Sequence, residues 1–337
     1  MKNLSQKRLK KIVDNFVNIS VLVVGDLMLD EFIWGEVSRI SPEAPVPVVR
    51  CARESLMPGG ASNVAHNMKS LGGTVFLSGV IGEDETGDKL IEVLRTRSID
   101  TKGVVRCPDR LTTLKTRVIA HNQQVVRIDK EAAQDIDGAA VKSMLARLSG
   151  FVERVDAVII EDYGKGVVIP PLVKGLIRLC RRHKKIIAVD PKENHFSLYK
   201  NTTVITPNFH EAVSACGLKT EGAHNVETIG SKLIKKMNCD VVLVTLGEKG
   251  MYLKERSGRS LMMPTVAQDV YDVSGAGDTV IGAYTMAAAS GATSKEAAFI
   301  ANCAAGIVVG KVGIAVTERR ELMDKLRKEL RKQRKRG

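Results

Sequence analysis

Four short apolar segments in the second half of the chain each end in a cluster of polar residues, and this pattern constrains the fold most. The segments are 155–160, 186–189, 204–206 and 241–244. Their length and their Val and Ile content are typical of buried strands, with predicted helices between them. Alternating strands and helices build a parallel sheet whose carboxyl ends meet along one edge. The sequence therefore predicts an α/β fold with a ligand site at that edge.

The composition fits a soluble globular protein. With 337 residues, 44% of them hydrophobic, the chain can bury the core of one large domain or two ordinary ones. The six cysteines form no C-x-x-C pair, so neither a zinc ribbon nor a disulfide framework is indicated. No apolar run reaches transmembrane length, and the N-terminus lacks a signal-peptide core. We therefore expect a cytoplasmic protein without a membrane partner.

Much of the net charge of +13 lies toward the two ends of the chain. Residues 318–337 are predicted to form a basic C-terminal helix and tail. Such a tail could contact nucleic acid or an anionic membrane. Solvated cations at a helix C-terminus are the simpler interpretation, because they suit the helix dipole. We therefore expect no nucleic-acid partner, and basic residues in the interior could instead serve a phosphorylated substrate.

Residues 272–279, with the sequence DVSGAGDT, form the most distinctive motif. An alanine-rich helix is predicted directly after it, at 280–289. The Gly-Ala-Gly turn at 275–277 would let unpaired N–H groups converge at the first turn of that helix, where the dipole is positive and anions bind. Asp278 could accept the proton of an attacking hydroxyl beside a bound phosphate. An ordinary Gly-rich loop with an acidic cap is the alternative.

Two segments depart from the α/β pattern. In residues 31–50, aromatic residues alternate with others before three prolines, which predicts short, irregular strands. Residues 110–130 alternate in the manner of a hairpin. Although they are distant in the sequence, the two segments could pair into one small sheet that acts as a lid.

Several residues are candidates for holding a sugar. Asp30 follows the first predicted strand, where carboxylates can grip hydroxyl groups, although it could also cap a turn. Gly59 and Gly60 permit close approach of a ligand to the backbone, and Asn63 at a helix start can bind hydroxyls. Basic side chains that could hold a substrate phosphate are Lys115, Arg117, Arg127, Lys165 and Lys192.

Two further patterns suggest a nucleotide and a metal. Asn208 and Glu211 are three residues apart at a predicted helix start, so they share a face and could hold waters around Mg²⁺. A helix cap with a surface glutamate would explain the pair equally well. The spacing of Thr245, Gly247 and Gly250 allows the backbone to pass close to a nucleotide, and alone it is a weak signal.

Together, these motifs resemble the signatures of the ribokinase-like (PfkB) carbohydrate kinases. Residues 59–72 resemble the first family signature, 272–279 the second, and 207–211 the magnesium motif. The order matches that of the family, and the resemblance covers nearly the whole chain. Ser274 stands where relatives often have threonine, which is a conservative departure. The resemblance implies a three-layer α/β/α sandwich with a mainly parallel sheet and a small β-sheet lid, as a single kinase domain over residues 1–337.

The same resemblance implies roles for individual residues. It implies Asp278 as the base, next to an anion hole at Gly275, Ala276 and Gly277. It implies ATP and Mg²⁺ as cofactors, with Mg²⁺ held through water by Asn208 and Glu211. The remaining implied nucleotide contacts are Phe209, His210, Thr245, Gly247, Gly250 and, on the adenine side, Asn302. A monovalent cation near Asp272 and a homodimer formed through the lid are also implied.

Within the family, residues 39–48, 115–117, 162–166 and 190–192 resemble the heptose-7-phosphate kinases of lipopolysaccharide core synthesis. This resemblance implies phosphorylation of D-glycero-β-D-manno-heptose 7-phosphate at its anomeric hydroxyl. Implied substrate contacts are Asp30, Gly59, Gly60, Asn63, Arg117, Gln124, Arg127, Asp162, Lys165 and Lys192. Many relatives carry a nucleotidyltransferase domain after the kinase, and we expect another protein to supply that step here. A kinase for another sugar, or a non-catalytic sugar or nucleotide sensor, are the alternatives.

Overall fold

The computed structural model describes residues 4–121, 123–219, 224–311 and 313–336, with side chains through residue 332. Gly337 of the predicted basic tail lies outside these residues. The strands, in chain order, are β1 Ser20–Gly25, β2 Leu27–Ile40, β3 Pro47–Gly60, β4 Thr74–Gly82, β5 Asp100–Cys107, β6 Thr113–Ala120, β7 Gln123–Lys130, β8 Ala157–Glu161, β9 Ile186–Asp190, β10 Val204–Ile205, β11 Val241–Thr245, β12 Met251–Glu255 and β13 Ser260–Met263.

The helices pack on both faces of the main sheet. In chain order they are α1 Gln6–Asp14, α2 Ala61–Ser70, α3 Glu85–Thr96, α4 Gly138–Val152, α5 Pro170–Arg182, α6 Phe209–Ala215, α7 Val226–Met237, α8 Ala276–Ala289, α9 Ser294–Val308 and α10 Arg319–Arg336. Short 3-10 turns follow α1, β9 and β11. No helix in the described ranges is both long enough and apolar enough to cross a membrane.

The described strands form a nine-stranded sheet with the order β13-β12-β11-β10-β9-β8-β1-β4-β5. All neighbours from β5 to β11 are parallel, and β12 and β13 add an antiparallel edge. The predicted parallel sheet is therefore confirmed. Strand β5 and the β12–β13 hairpin lie at the two edges of the sheet, and neither was predicted from the sequence.

The core divides into two apolar clusters, one on each face of the sheet. On β1, Val21 and Val23 belong to the cluster beneath α1, α2, α8 and α9, whereas Leu22 and Val24 belong to the cluster beneath α4 and α5. This division follows from the strand period of two, which sends successive side chains to opposite faces. The result is the predicted three-layer α/β/α sandwich.

The two segments outside the α/β pattern pair with each other in a four-stranded sheet, which we call the lid sheet, with the order β3-β2-β6-β7. Two antiparallel hairpins, β2–β3 and β6–β7, meet where β2 runs parallel to β6. The prediction of short, irregular strands in residues 31–50 was wrong, because β2 and β3 are 14-residue strands that pair over nearly their whole length. The pairing of β2 with β3 contains two register shifts. Pro47 stands at the first position of β3, where strand pairing tolerates a proline.

The basic C-terminal helix packs on the body through one apolar stripe. Leu322, Leu326 and Leu330 recur at a helical spacing of four and are all buried. α10 contacts α9 and α1. Within residues 319–332, Lys325 and Glu329 form a largely buried ion pair at 3.6 Å, whereas Arg327 and Asp324 lie on the exposed side of the helix.

Candidate active site

Polar residues at the ends of neighbouring strands meet at the carboxyl edge of the sheet. The strands β1, β8 and β9 are adjacent, and they end at Gly25, Glu161 and Asp190. Glu161 lies opposite both Gly25 and Asp190 in the parallel register. Helix α8 contacts β8 and β9, which brings Asp278 to the same edge. The predicted convergence of strand ends is thus realised around one helix N-terminus.

Asp278 lies in the first turn of α8 and is only 3% exposed. Its Oδ2 accepts a hydrogen bond of 2.5 Å from Nδ2 of Asn63, and its Oδ1 accepts one of 2.8 Å from the hydroxyl of Tyr163. Burial raises the pKa of Asp278 to about 6, while these two hydrogen bonds oppose the rise. A carboxylate fixed in this way, with lone pairs to spare, can accept a proton near neutral pH.

Asn63 is itself oriented by a chain of hydrogen bonds. The hydroxyl of Thr279 donates to Oδ1 of Asn67 at 2.8 Å. The amide of Asn67 in turn donates to Oδ1 of Asn63 at 3.3 Å and to the main-chain oxygen of Asn63 at 3.0 Å. The Asn63 oxygen is therefore the acceptor, and its NH₂ group faces Asp278. Asn67 had no role in the sequence analysis, although it follows Asn63 by one helical turn.

Two of the three amides predicted to form an anion hole have no acceptor among the described residues. Gly275 caps α8 with φ of 78°, a left-handed conformation that favours glycine, and a Cβ there would lie 2.7 Å from Nδ2 of Asn63. Among the described residues, no acceptor takes the amides of Gly275 and Gly277. The amide of Ala276 differs from the prediction, because it closes the turn by donating to the oxygen of Val273 at 3.2 Å. Two unpaired amides thus remain for an anion.

Three carboxyl groups converge beside this anion hole. Oxygens of Glu161, Asp190 and Asp278 lie within 4.8 Å of one another. Burial raises the pKa of Glu161 well above its usual range, with the charges of Asp190 and Asp278 adding to the rise. Burial likewise raises the pKa of Asp190 to about 8. At an effective dielectric constant of about 20, two unit charges about 5 Å apart repel by about 3 kcal/mol, so the cluster needs protons or a cation.

The chemistry of this cluster fits a divalent metal. Carboxylate oxygens are the ligands that Mg²⁺ and similar hard cations prefer. Glu161 is fully buried, and no donor group in the described part of the chain reaches either of its carboxyl oxygens. Neither Glu161 nor Asp190 had a metal role in the sequence analysis. Their positions at the ends of adjacent predicted strands were the signal that could have found them.

The predicted magnesium pair, Asn208 and Glu211, forms a capping box at the start of α6. Oδ1 of Asn208 accepts from the amide of Glu211 at 3.0 Å, and the Glu211 carboxylate accepts from the amide of Asn208 at 2.9 Å. The helix-cap alternative is therefore what the geometry shows. One carboxyl oxygen of Glu211 is left for a water ligand, and the charge of Glu211 adds to the raised pKa of Asp190.

The predicted nucleotide residues line two adjoining cavities. One, of about 530 Å³, is lined by Ala276 and Gly277 at the start of α8. Its other predicted lining residues are Thr245, Gly247, Gly250 and Asn302. The second cavity, of about 550 Å³, is lined by Asn208, Phe209 and His210 and shares Thr245 and Gly247 with the first. The side-chain amide of Asn302 donates to the oxygen of Pro264 at 2.8 Å, so it also stabilises the cavity wall.

The predicted sugar residues Asp30, Gly59 and Gly60 lie at the base of the lid sheet. Asp30 is 3% exposed and pairs with the guanidinium of Arg117, which also stacks over the ring of Phe32. Burial raises the pKa of Asp30, and Arg117 opposes that rise. Gly59 packs against Asp30 so closely that a Cβ would lie 2.1 Å from its Oδ2. Gly60 has φ of 54° and precedes α2, which carries Asn63.

The cationic side chains predicted to bind a phosphate differ in whether a carboxylate of the protein already pairs with them. Lys115 and Lys165 both bind Glu131, at 3.4 Å and 2.6 Å. Arg127 binds Asp129 on its own strand at 2.9 Å. Gln124 and Arg127 lie on β7, the exposed edge strand of the lid sheet.

Lys192 differs from these cations. It has no ion pair among the described residues, and its aliphatic part lies against Gly164. Burial raises the pKa of Glu211, and the positive charge of Lys192 partly opposes this rise. The ammonium group of Lys192 therefore lies near the capping box. Lys192 is therefore the predicted cation that is best placed to meet a phosphate.

Asp162, a predicted sugar ligand, is instead occupied with supporting the loop after β8. Its side chain is fully buried, and it accepts hydrogen bonds from the amide of Gly164, from Nδ1 of His195 at 2.7 Å and from the hydroxyl of Tyr199. Both carboxyl oxygens of Asp162 are therefore occupied by internal donors. Asp162 therefore supports this loop, and its contact with a substrate stays a prediction.

Asp26 organises the same loop from the end of β1. Its carboxylate accepts three main-chain hydrogen bonds, from the amides of Tyr163, Lys165 and Val167, at 2.8, 3.1 and 3.2 Å. Burial and the charge of Asp162 raise the pKa of Asp26 to about 6, and the three amides oppose this. The loop carries Tyr163, the second hydrogen-bond donor to Asp278. Neither Asp26 nor Tyr163 had a role in the sequence analysis.

The chain resembles curated bacterial proteins of known family. A family model described as pfkB family carbohydrate kinase matches residues 18–319. The "Bifunctional protein HldE" of Helicobacter pylori (strain J99) is 43% identical over 302 residues, which cover 90% of this chain and 65% of the relative. The protein of that name from Geobacter sulfurreducens is 38% identical over 323 residues, 96% of this chain and 66% of the relative. The chain thus spans about two thirds of the length of the curated relatives it matches.

Solved structures share the fold at lower identity. Arabidopsis thaliana ribokinase complexed with ribose and ATP matches with a TM-score of 0.70 and 19% identity, over 91% of this chain and 98% of that one. Phosphofructokinase-2 from Escherichia coli in complex with potassium matches with a TM-score of 0.75 and 20% identity, over 91% and 97%. The family model matches residues 18–319, and the fold carries a buried aspartate beside two unpaired amides. The chain therefore belongs to the pfkB family of carbohydrate kinases.

Proposed function

We propose that this chain phosphorylates D-glycero-β-D-manno-heptose 7-phosphate at its anomeric hydroxyl, with ATP as the phosphoryl donor, to give the 1,7-bisphosphate. The observation that carries the kinase part is the position of Asp278, which lies directly after the unpaired amide of Gly277 and is fixed by Asn63 and Tyr163. A base and an anion-binding site at one point are what phosphoryl transfer to an alcohol requires. The relatives named HldE support the heptose assignment.

In the proposed reaction, the carboxylate of Asp278 accepts the proton of the anomeric hydroxyl. The hydroxyl oxygen forms a bond to the γ-phosphorus as the bond from that phosphorus to the bridging oxygen breaks, and ADP leaves. The amides of Gly275 and Gly277 hold negative charge on the transferred group. A divalent metal, when bound, would neutralise phosphate charge, and Glu161 and Asp190 are the residues that would hold it.

The two substrates would lie on opposite sides of Asp278. We assign the cavity that contains Ala276, Gly277 and Asn302 to the nucleotide, because it opens onto the anion hole. Its volume of about 530 Å³ lies within the usual range of ligand sites. We assign the base of the lid sheet, with Asp30, Gly59 and Arg117, to the sugar. The lid sheet would exclude water from the reaction.

Other assignments in this proposal rest on fewer contacts. We assign Lys192 to a substrate phosphate, because no described ion pair occupies it, and Arg127 and Gln124 to the outer wall of the lid. Exposed apolar residues on β7, Val125, Val126 and Ile128, support a homodimer through the lid sheet. We also propose a monovalent cation near Asp272 and a cytoplasmic location.

The test combines one variant with a substrate panel. We expect Asp278→Asn to lower kcat by 10²- to 10⁴-fold, the usual contribution of a general base, with sugar-phosphate binding changed by less than threefold. Asp324→Asn, on the exposed face of α10, is the matched control and keeps wild-type turnover. ADP release is measured with the heptose 7-phosphate, the unphosphorylated heptose, ribose and fructose 6-phosphate.

The outcomes separate the alternatives. Turnover of only the heptose 7-phosphate supports the full proposal. Equal turnover of the unphosphorylated heptose refutes phosphate recognition. Turnover of another sugar alone assigns the chain a different substrate within the family. Undiminished kcat in Asp278→Asn refutes the base assignment, and no ATP consumption with any sugar identifies a non-catalytic protein.

A further inference from the structure

Glu161 is a buried carboxyl group whose one hydrogen-bonding neighbour among the described residues is another carboxyl group, that of Asp190. The residue is fully buried, and both carboxyl oxygens lack a hydrogen-bond donor among the described residues. The other two members of the cluster are satisfied, since Asp190 accepts from the hydroxyl of Thr206 at 2.9 Å and Asp278 accepts from Asn63 and Tyr163. A buried ionised group persists only with a compensating charge or a hydrogen bond. The unmet requirement of Glu161 points to a ligand.

We infer that Glu161 and Asp190 bind a divalent cation directly, of the Mg²⁺ or Mn²⁺ class, before any nucleotide arrives. The inference deepens the proposed function by locating its metal. Two carboxylates offer the hard oxygen ligands that such ions take, and water or phosphate oxygens complete the shell. Asp278 lies within 4.8 Å of both but keeps its two donors, so it remains available as the base.

The β-sheet register fixes the geometry of this pair. Glu161 and Asp190 are direct neighbours across the parallel strands β8 and β9, so their side chains leave the sheet on the same face. On those strands Ile159 and Ala188 belong to the core cluster beneath α8, and residues two positions later share their face. Both carboxyls therefore point toward the N-terminus of α8. Strand residues hold metal ligands more rigidly than loop residues do.

The position of the pair matches the chemistry. A Cβ placed on Gly277 would lie 3.6 Å from Oδ2 of Asp190. The free amide of Gly277 and the carboxylate of Asp190 thus border the same space. A cation held there would lie next to an anion bound at the N-terminus of α8, so the two opposite charges would attract each other at short range. By contrast, Asn208 and Glu211 each commit one side-chain oxygen to the capping box, which leaves one carboxyl oxygen of Glu211 for a water-mediated contact.

The test measures Mn²⁺ binding to the full chain without nucleotide or sugar, by the electron paramagnetic resonance signal of free Mn²⁺. We expect Glu161→Gln to weaken binding at least tenfold. Glu211→Gln, which probes the alternative water-mediated position, should stay within twofold of the wild type. Glu153→Gln, an exposed residue far from the site, is the matched control. Wild-type affinity in Glu161→Gln, or a loss confined to Glu211→Gln, overturns the inference.

Thermal unfolding gives a second readout that does not depend on the variant titration. The wild type should melt several degrees higher in Mg²⁺ than in EDTA, because a ligand that binds only the native state stabilises it. Glu161→Gln should show no such difference, and its melting temperature in EDTA should stay close to that of the wild type, because burial already favours the uncharged form of Glu161 when no cation is bound. No Mg²⁺ effect on the wild type means that the cluster holds only protons, and this would overturn the inference.

The two proposals can fail separately. If Glu161→Gln binds Mn²⁺ normally while Asp278→Asn loses sugar-dependent turnover, the kinase assignment stands and the metal position falls. If the wild type binds Mn²⁺ through Glu161 but turns over no sugar, the metal position stands and the proposed function falls.

Discussion

The hydroxyl of Tyr163 donates a 2.8 Å hydrogen bond to Oδ1 of Asp278, on the other oxygen from the one that Asn63 reaches. One donor comes from the loop after β8 and the other from α2, so the carboxyl group is fixed from two independent elements. Rotation of the Asp278 side chain would break at least one of these bonds. The orientation of the proposed base is thus set before any substrate binds.

Tyr163→Phe should lower kcat by about 10- to 100-fold, because a hydrogen bond to a charged group contributes about 1.5–3 kcal/mol. The KM for the sugar should change by less than threefold, since the hydroxyl orients the base and contacts no assigned sugar position. Steady-state kinetics measure both. Tyr199→Phe removes another buried Tyr–Asp contact that does not involve Asp278, and it should keep kcat within about twofold. Equal losses in the two variants would contradict the positioning role of Tyr163.

Gly275→Ala should lower kcat at least tenfold. The left-handed φ of 78° costs a residue with a Cβ about 1–2 kcal/mol, and the new Cβ would displace Asn63 from Asp278. Gly291→Ala is a matched control, because Gly291 has φ of 80° with no atom within 4 Å of a Cβ. Both variants should lose similar stability in urea unfolding, and only Gly275→Ala should lose activity. Full activity in Gly275→Ala would show that this contact is unimportant.

Asp26→Asn should destabilise the protein by about 2–4 kcal/mol. The substitution replaces one carboxylate oxygen with an NH₂ group, which leaves one or two of the buried amides of Tyr163, Lys165 and Val167 without an acceptor. Chemical denaturation measures the loss. Hydrogen exchange should show faster exchange in residues 163–167. The exposed Asp324→Asn control should stay within about 0.5 kcal/mol, and a similarly small change in Asp26→Asn would refute the anchoring role.

His66 should make stability depend on pH. Burial, with a smaller contribution from the charge of Arg97, lowers the pKa of His66 to about 4 from its usual 6.5. Between these values the unfolded chain binds more protons than the native one, so stability falls as pH drops from about 6.5 to about 4. The loss is at most about 3 kcal/mol, from 1.36 kcal/mol per pKa unit. Denaturation of the wild type and His66→Gln at pH 7.5, 5.5 and 4.5 measures it, and parallel pH curves would contradict the assignment.

The fold was predictable where local pattern decides structure. Apolar runs such as 241–244 and their polar ends indicated a parallel sheet, because buried strands and strand-end sites leave a visible signature. The long pairing of β2 with β3 could not be predicted from local pattern. Three prolines between residues 42 and 47 suggested that the strands were interrupted, but these prolines lie in the turn and at the first position of β3. Cross-strand partners that are distant in sequence leave no local signal.

The site was predictable only for residues within recognisable motifs. Asp278 and Asn63 could be singled out because they follow glycines in segments that resemble family signatures. Glu161 and Asp26 were missed because their importance arises from three-dimensional neighbours: a second carboxylate across the sheet, and three amides that a loop turns inward. Asp162 shows the converse, since a motif residue proved to be fully occupied by internal partners.

The β2–β3 hairpin of the lid sheet joins the main body without a long loop at either of its ends. Only Asp26 separates β1 from β2, and β3 passes at Gly60 straight into α2 at Ala61. Movement of the hairpin over a sugar would therefore bend a continuous ribbon at these two junctions. Because that ribbon begins directly after Asp26 and ends three residues before Asn63, strain from sugar binding would reach both Asn63 and the loop that Asp26 anchors.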